Sequence, residues 1–147
     1  MPDPRTIRVD EFLAHPPARV WRALTDPDLL ARWLMPNDFR PAVGHAFTFR
    51  TDPQPGFDGI VHCEVLALEP ERRLSISWRG GPLDTTVTWT LVPEGRGTRL
   101  FLVHDGFDPD DPAQQLTAEI LGQGWRSNVM AALRAVLDDS ALPPGPP

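Results

Sequence analysis

The stretch DPAQQLTAEILGQGWRSNVMAALRAVL, residues 111–137, decides the fold, because it predicts a single long amphipathic helix. Its apolar residues recur at steps of three and four, the spacing of one helix face: Leu116, Ile120, Leu121, Trp125, Val129, Leu133, Val136 and Leu137. Asp111 can cap the first turn, Pro112 suits the next position, and Gln114 is placed to complete a capping box. Such a helix needs an apolar surface to pack on.

Short alternations of apolar and polar residues upstream predict that surface, a sheet of six strands. Ile7, Val9 and Leu13 mark the first strand, and two short helices follow it, over residues 18–24 and 27–33. Five more strands are mostly joined by short turns, so neighbouring strands are expected to be antiparallel. Their inward faces carry Phe47, Phe49, Val61, Cys63, Val65, Leu74, Ile76, Trp78, Val87, Trp89, Leu91, Leu100, Leu102 and His104.

The element order is therefore one strand, two helices, five strands and a long helix. This order predicts an α+β fold in one domain, residues 1–139, and 147 residues are enough to bury a substantial core. Residues 140–147 are rich in proline, and we expect them to form a disordered tail.

The composition excludes several classes of function. A net charge of −6 argues against nucleic-acid binding, which requires a basic face. No apolar run reaches membrane-spanning length and the first residues lack a signal-peptide core, so we expect a cytoplasmic protein that does not insert into membranes. All fourteen basic residues are arginine and tyrosine is absent, which excludes Schiff-base catalysis by lysine and acid–base chemistry by tyrosine.

Disulfide, metal and cofactor sites are not expected either. Cys63 is the only cysteine, which excludes an internal disulfide and a cysteine-based zinc site. The four histidines, His15, His45, His62 and His104, fall on four different elements, so no metal-binding cluster is predicted. No glycine-rich phosphate loop follows a strand, and we expect no cofactor.

Several motifs, taken in order, resemble one protein family. The segment PPARVWRALTDP at residues 16–27, followed by LARW at 30–33, resembles the N-terminal signature of the SRPBCC (START-like, helix-grip) superfamily. Within it the resemblance is to homologues of the activator of the heat-shock-protein-90 ATPase. Further pieces agree in order and spacing: VGHAF at 43–47, DGIV at 58–61, LEP at 68–70, GTRL at 97–100, HDGF at 104–107 and GW at 124–125.

The resemblance implies a curved six-stranded antiparallel sheet wrapped around the long C-terminal helix, with a hydrophobic cavity between them. Superfamily relatives bind lipids, hormones and polyketide-like molecules, some are enzymes, and the eukaryotic namesakes stimulate a chaperone ATPase. One departure is Glu11, which occupies a first-strand position that is commonly basic in the family. A charge-dependent role of that strand therefore does not transfer.

The residues expected to line the cavity are inward-facing and mostly apolar, as in small-molecule pockets: Trp33, Phe47, Phe49, Val61, Cys63, Trp78, Trp89, Leu102, His104 and Trp125. The same residues could instead form a packed core without a cavity. His104 has two interpretations, either a hydrogen-bonding or proton-donating group for a ligand, or a structural group that satisfies a loop carbonyl.

Gly122 and Gly124 are costly in a helix. They indicate a close approach or a bend beside Trp125, or else Gly122 ends a short helix and the long one begins after it.

Three functions follow from these features. The first is binding of a hydrophobic small molecule or lipid-like ligand between the sheet and the C-terminal helix. The second is protein interaction, with a chaperone or with a second copy of the chain. The third, an enzyme, has less support because no acid–base pair stands out, and no catalytic residue is assigned; His104 beside Glu11 or Asp105 would supply one.

Overall fold

The computed structural model describes residues 4–139. Along this part of the chain the elements are β1 (Thr6–Leu13), α1 (Pro17–Thr25), α2 (Pro27–Trp33), β2 (Ala46–Arg50), β3 (Ile60–Glu69), β4 (Arg73–Gly80), β5 (Leu83–Glu94), β6 (Gly97–Asp105), α3 (Pro112–Gly124), a π-helical turn (Trp125–Val129) and α4 (Met130–Leu137). The predicted tail at 140–147 lies outside the described residues. No helix of the described chain is long and apolar enough to cross a membrane.

The strands form one antiparallel sheet in the order β1-β6-β5-β4-β3-β2. Four hairpins join β2 to β6 in sequence, and β1 returns to pair with β6, from Thr6 opposite Asp105 to Leu13 opposite Thr98. The predicted α+β helix-grip fold and its element order are confirmed. The edge strands β1 and β2 are therefore the strands that flank the two N-terminal helices in sequence.

The core lies between the inner face of the sheet and the helices. Every inward residue predicted from strand alternation is buried, including Phe49, Val65 and Val87 at 0% exposure. The outer face of β1, β6 and β5 is not wholly polar, since Phe12, Phe101 and Val92 are partly exposed there. Strand alternation therefore correctly predicted the side of the sheet that faces the helices.

The end of α4 is held to the first two helices by cationic side chains. Arg19 donates to the Leu137 carbonyl at 2.9 Å and to the Asp139 carbonyl at 3.0 Å. Arg32 pairs with the Asp139 carboxylate at 2.9 Å. Positive groups at a helix C-terminus complement the helix dipole and satisfy its last carbonyls. This end of the C-terminal helix is firmly anchored.

The long helix predicted over residues 111–137 is confirmed as one continuous helical segment, but its predicted buried stripe was wrong. A π-helical turn separates α3 from α4, and Leu116 and Ile120, expected on the buried stripe, are 59% and 61% exposed. The cause is the phase of the helix: with α4 packed through Leu133, an unbroken α-helix would turn Arg126 and Glu119 toward the sheet. The extra residue of the π turn rotates α3 by about 100° and presents Trp125, Leu121 and Ala118 instead.

Gly122 and Gly124 are both inside the continuous helical segment, so the helix does not restart after Gly122. Gly122 is buried, and a Cβ there would lie 3.8 Å from the Ile7 Cγ2 atom and 3.0 Å from the Arg126 guanidinium. Gly124 has open space around it. A Cβ at Gly122 would meet β1 only at an ordinary contact distance, and its one tight contact is the movable end of the Arg126 side chain, so close approach to β1 does not explain either glycine.

The predicted capping residue Asp111 accepts a hydrogen bond from the Ala113 N–H at 2.9 Å. The predicted capping box was wrong, because the Asp111 N–H donates to the Asp108 carbonyl and is not free for Gln114. Gln114 instead accepts from the Asp108 N–H at 2.8 Å and donates to the Pro82 carbonyl at 3.1 Å. Its side chain ties α3 to the loop between β4 and β5.

Candidate functional site

The ten residues predicted to contact a ligand come from seven elements and meet in one interior region. Trp33 lies on α2 and Trp125 opens the π turn, while the other eight lie on β2 to β6. Strand register places Phe47 opposite Cys63, Phe49 opposite Val61, and Trp89 opposite Leu102. All ten are buried, with exposures of 5% or less.

The aromatic members form a continuous chain of ring contacts across the inner face. Ring centroids are 5.4 Å apart for Phe47 and Phe49, 5.6 Å for Phe49 and Trp78, and 5.7 Å for Trp78 and Trp125. The chain continues from Trp125 to Trp89 at 6.1 Å and ends on Trp33 at 6.5 Å. Most of these contacts are edge-to-face, the arrangement that favours aromatic pairs.

This interior is closely packed. One crevice lies between the sheet and the helical layer, and it has no room for a water molecule. Its walls are entirely apolar apart from one indole N–H: Leu24, Leu30, Phe39, Phe47, Phe49, Leu74, Ile76 and Trp89. Three of the ten predicted residues, Phe47, Phe49 and Trp89, line this crevice, and a ligand has to widen it in order to bind.

Three larger depressions, of about 570, 480 and 400 Å³, are open to the surface. The first lies beside the α1 N-terminus and the β4–β5 end of the sheet, around Arg72 and Val92. The second lies between α3 and β1 and is lined by Ile7, Phe107 and Leu116 among others. None of the ten predicted residues lines any of these three depressions.

His104 is held in a relay of hydrogen bonds. The Trp125 indole N–H donates to His104 Nδ1 at 3.1 Å, and His104 Nε2 lies 2.8 Å from Thr85 Oγ1. Because indole is only a donor, Nδ1 is the acceptor and Nε2 carries the hydrogen. Thr85 then donates its own hydrogen to the Trp78 carbonyl at 2.8 Å. Both ring nitrogens of His104 are satisfied by the protein.

Burial keeps the His104 ring neutral, since it lowers the pKa to about 3 even though the nearby Asp105 carboxylate acts in the opposite direction. His104 hydrogen-bonds to neither candidate carboxylate. Glu11 binds Arg134 of α4 at 2.6 Å, and Asp105 accepts from the Thr6 hydroxyl at 2.7 Å. The geometry supports the structural interpretation of His104, although its partners are Trp125 and Thr85 rather than the expected loop carbonyl.

Trp89 differs from its neighbours because its indole N–H is unsatisfied. It is 1% exposed, and Nε1 has no hydrogen-bond partner within residues 4–139. Trp33, in contrast, donates to the Ala23 carbonyl at 2.8 Å. Trp89 is also one of the residues that line the crevice.

Cys63 is a buried free thiol on the same inner face. Burial raises its pKa to about 12, and the Asp38 carboxylate adds to the effect, so the thiolate is not formed at neutral pH. Within the described residues, no group of three histidine, cysteine or acidic side chains could hold a metal ion.

Sequence reasoning missed several residues of the site. Phe39 lies in an irregular segment that has no periodicity, and Leu24 and Leu30 were expected only as helix core. Thr85 shares strand alternation with Val87 and Trp89, so its inward position on β5 was predictable. The unsatisfied state of Trp89 could not be found without the tertiary contacts.

A curved six-stranded antiparallel sheet packed on a long C-terminal helix defines the helix-grip class of the SRPBCC superfamily. The chain belongs to the activator of Hsp90 ATPase homolog 1-like family, whose model matches residues 14–138. No curated protein matches the chain.

Solved structures with the same fold include three informative relatives. Protein MLL2253 from Mesorhizobium loti is 40% identical, with a TM-score of 0.80, and the match covers 94% of this chain and 100% of that one. CalU16 from Micromonospora echinospora is 27% identical, with a TM-score of 0.73, over 91% and 76% of the two chains. DynU16, from the dynemicin biosynthetic locus, is 26% identical with a TM-score of 0.75, over 94% of this chain and 48% of that one.

Proposed function

We propose that this protein binds a small hydrophobic molecule between the sheet and the helices that cover it. The observation that carries the proposal is the apolar crevice beneath Trp89. Three of the predicted ligand residues, Phe47, Phe49 and Trp89, line it together with side chains from α1 and α2. Apolar walls with a single directing polar group are typical of small-molecule sites.

The crevice has a fixed wall and a wall that can move. Phe47, Phe49, Leu74, Ile76 and Trp89 come from hydrogen-bonded strands of the sheet. The opposite wall is made by two short helices and an irregular segment that contains Phe39, which are easier to displace than a sheet. A ligand would therefore enter by displacing the helical layer. The origin of DynU16 in a biosynthetic locus supports a small molecule as the partner.

A thermal-shift screen of uncharged aromatic compounds, isoprenoids and fatty acids tests the proposal. At one hundred times its Kd, a ligand specific for the folded protein adds about 2.7 kcal/mol to the free energy of unfolding. Leu24→Phe fills the crevice and should remove this gain. Leu100→Phe overpacks an equally buried site outside the crevice and should retain it, although each variant loses about 1–3 kcal/mol of intrinsic stability. If no compound shifts the wild-type midpoint, the proposal is wrong.

The second candidate function is stimulation of a chaperone ATPase, for which the exposed patch of Phe12, Val92 and Phe101 is the supporting observation. The three side chains lie on adjacent strands of the outer face, where exposed apolar groups favour protein contacts. The test is the ATPase rate of a purified Hsp90-type chaperone with and without this protein. Stimulation that is lost in a Phe12→Thr/Phe101→Thr variant of unchanged thermal midpoint supports the role, and an unstimulated rate contradicts it.

A further inference from the structure

Trp89, one of the residues that line the crevice, has a buried indole N–H without a hydrogen-bond partner. A buried donor without a partner costs about 1–3 kcal/mol. Phenylalanine at this position would fill much of the same space without that cost. The rings of Trp33 and Trp125 lie nearly perpendicular to the Trp89 ring, at 87° and 80°, and supply at most a weak N–H···π contact. No water molecule fits the crevice, so water cannot supply the missing acceptor there either.

The other buried polar side chains of residues 4–139 are already satisfied. Ser75 pairs with the Thr88 hydroxyl at 3.0 Å, and Thr98 donates to the His15 carbonyl at 2.7 Å. The remaining two, Thr85 and His104, belong to the relay that starts at Trp125. Among side-chain polar atoms of residues 4–139 with no solvent exposure, Trp89 Nε1 is therefore the one donor without a partner, and no acceptor lacks one.

The interior also lacks a charge that could pair with a charged ligand. The buried polar set of the described chain consists of serine, threonine and histidine, and His104 is neutral. The ion pairs nearest to the crevice residues of α1 and α2 in sequence, Arg22 with Asp26 and Arg32 with Asp139, are partly exposed. An anion or cation placed in the crevice would be desolvated without a partner, at a large cost.

We infer that the ligand is an uncharged apolar carbonyl compound, such as a ketone, ester or quinone, whose oxygen accepts a hydrogen bond from Trp89 Nε1. The inference rests on the interior site proposed above and names its ligand class. A carbonyl supplies the missing acceptor and brings no donor that would itself be left unsatisfied. Carboxylic acids, amines and alcohols each bring a charge or a donor that the crevice does not accommodate.

Three naphthalenes of similar size separate these requirements. 2-Acetonaphthone carries the carbonyl, 2-ethylnaphthalene has nearly the same shape without it, and 2-naphthoate carries a charge. One neutral hydrogen bond contributes about 0.5–1.5 kcal/mol, so acetonaphthone should bind about fivefold more tightly than ethylnaphthalene. Naphthoate should bind more weakly than either.

The variant that isolates the N–H carries β-(3-benzothienyl)alanine at position 89, introduced by amber suppression, because sulfur replaces the N–H and the bicyclic shape is kept. This replacement should remove the preference for acetonaphthone and leave the affinity for ethylnaphthalene unchanged. The same replacement at position 21, a tryptophan of α1 that does not line the crevice, is the control and should keep the preference.

A second measurement avoids dependence on variant folding. In ¹⁵N-labelled wild-type protein, acetonaphthone should move the indole proton resonance of Trp89 further downfield than ethylnaphthalene does, because both add a ring-current shift and only the ketone adds a hydrogen bond. The Trp125 indole, bonded to His104, should move little with either compound.

The outcomes distinguish the inference from the proposed function. Equal binding of the two neutral compounds, or a ketone preference that survives the replacement at position 89, overturns the carbonyl inference and leaves the interior site standing. Tightest binding of naphthoate overturns the inference of an uncharged ligand. If no probe perturbs any interior indole and the thermal-shift screen is also blank, the interior site itself is refuted.

Discussion

The relay from Trp125 through His104 to Thr85 and the Trp78 carbonyl spans three strands and the C-terminal helix. Each donor in this relay has one acceptor. Because both ring nitrogens of His104 are hydrogen-bonded, the neutral ring can be fully buried. The register was predictable, because alternation on β6 places His104 on the inner face. Its partners were not, since they depend on how the π turn presents Trp125 to the sheet.

The relay makes stability depend on pH in a defined direction. The pKa of His104 lies at about 3 in the folded protein and near 6.5 in the unfolded chain, so only the unfolded state gains this proton between those values. The free energy of unfolding should therefore fall as the pH drops from 6.5 toward 3, by up to about 1.4 kcal/mol per pH unit from this group.

The measurement is the free energy of unfolding from urea denaturation at pH 6.5 and at pH 5. In this range the carboxylates contribute least to its pH dependence. His104→Asn cannot titrate and still offers a donor and an acceptor, so its stability should change less between the two pH values. Equal changes for wild type and variant would contradict this account.

At the scale of elements, strands and helices differ in how far sequence predicts them. A strand repeats every two residues, so a correct face follows directly from alternation. A helix accumulates 100° per residue, and one inserted residue changes the buried face completely. In the sequence, the apolar stripe through Leu116 and Ile120 is as regular as the stripe that is buried. What excludes it is packing against the sheet, because an unbroken helix would bury Arg126 and Glu119 there.

Deletion of Asn128 tests the phase argument, because Asn128 is an exposed residue of the π turn. Removing it converts the turn to α-helix while Trp125 and Leu133 both keep their buried positions. We expect a folded protein whose free energy of unfolding is within about 1 kcal/mol of wild type, a surface-sized effect.

Deletion of Ala135, an exposed residue of α4, is the matched control. It rotates Met130 and Leu133 away from the core, which should cost more than about 2 kcal/mol. Denaturation followed by circular dichroism measures both variants. Similar losses in the two deletions would show that the π turn does not set the phase.

Across the whole molecule, the two halves of the C-terminal helix differ in how much side-chain surface they bury. In α4, Met130, Leu133, Val136 and Leu137 are buried and the C-terminal end is held by arginines, whereas in α3 only Gly122 is buried. The fold and the residues facing the interior could be predicted, because both follow from patterning and order. Whether the interior was open or filled could not, because packing density depends on how all the side chains fit together.

This imbalance predicts that the two halves of the C-terminal helix open separately. Backbone amides of α3 should exchange with deuterium by local fluctuation, well before those of α4 and the central strands β5 and β6, which require near-global unfolding. Native-state hydrogen exchange measured by mass spectrometry resolves the segments. Equal protection of α3 and α4 would contradict the prediction.

Cys63 gives the molecule a built-in reporter. Its thiol is buried, has a pKa near 12, and is the only one in a chain without lysine side chains, so thiol reagents find no competing site. Cys63 lies opposite Phe47, a residue of the crevice wall, so separation of that wall from the helices should expose it to reagent. The rate of thiol modification thus counts opening events of the interior, with no label or mutation introduced.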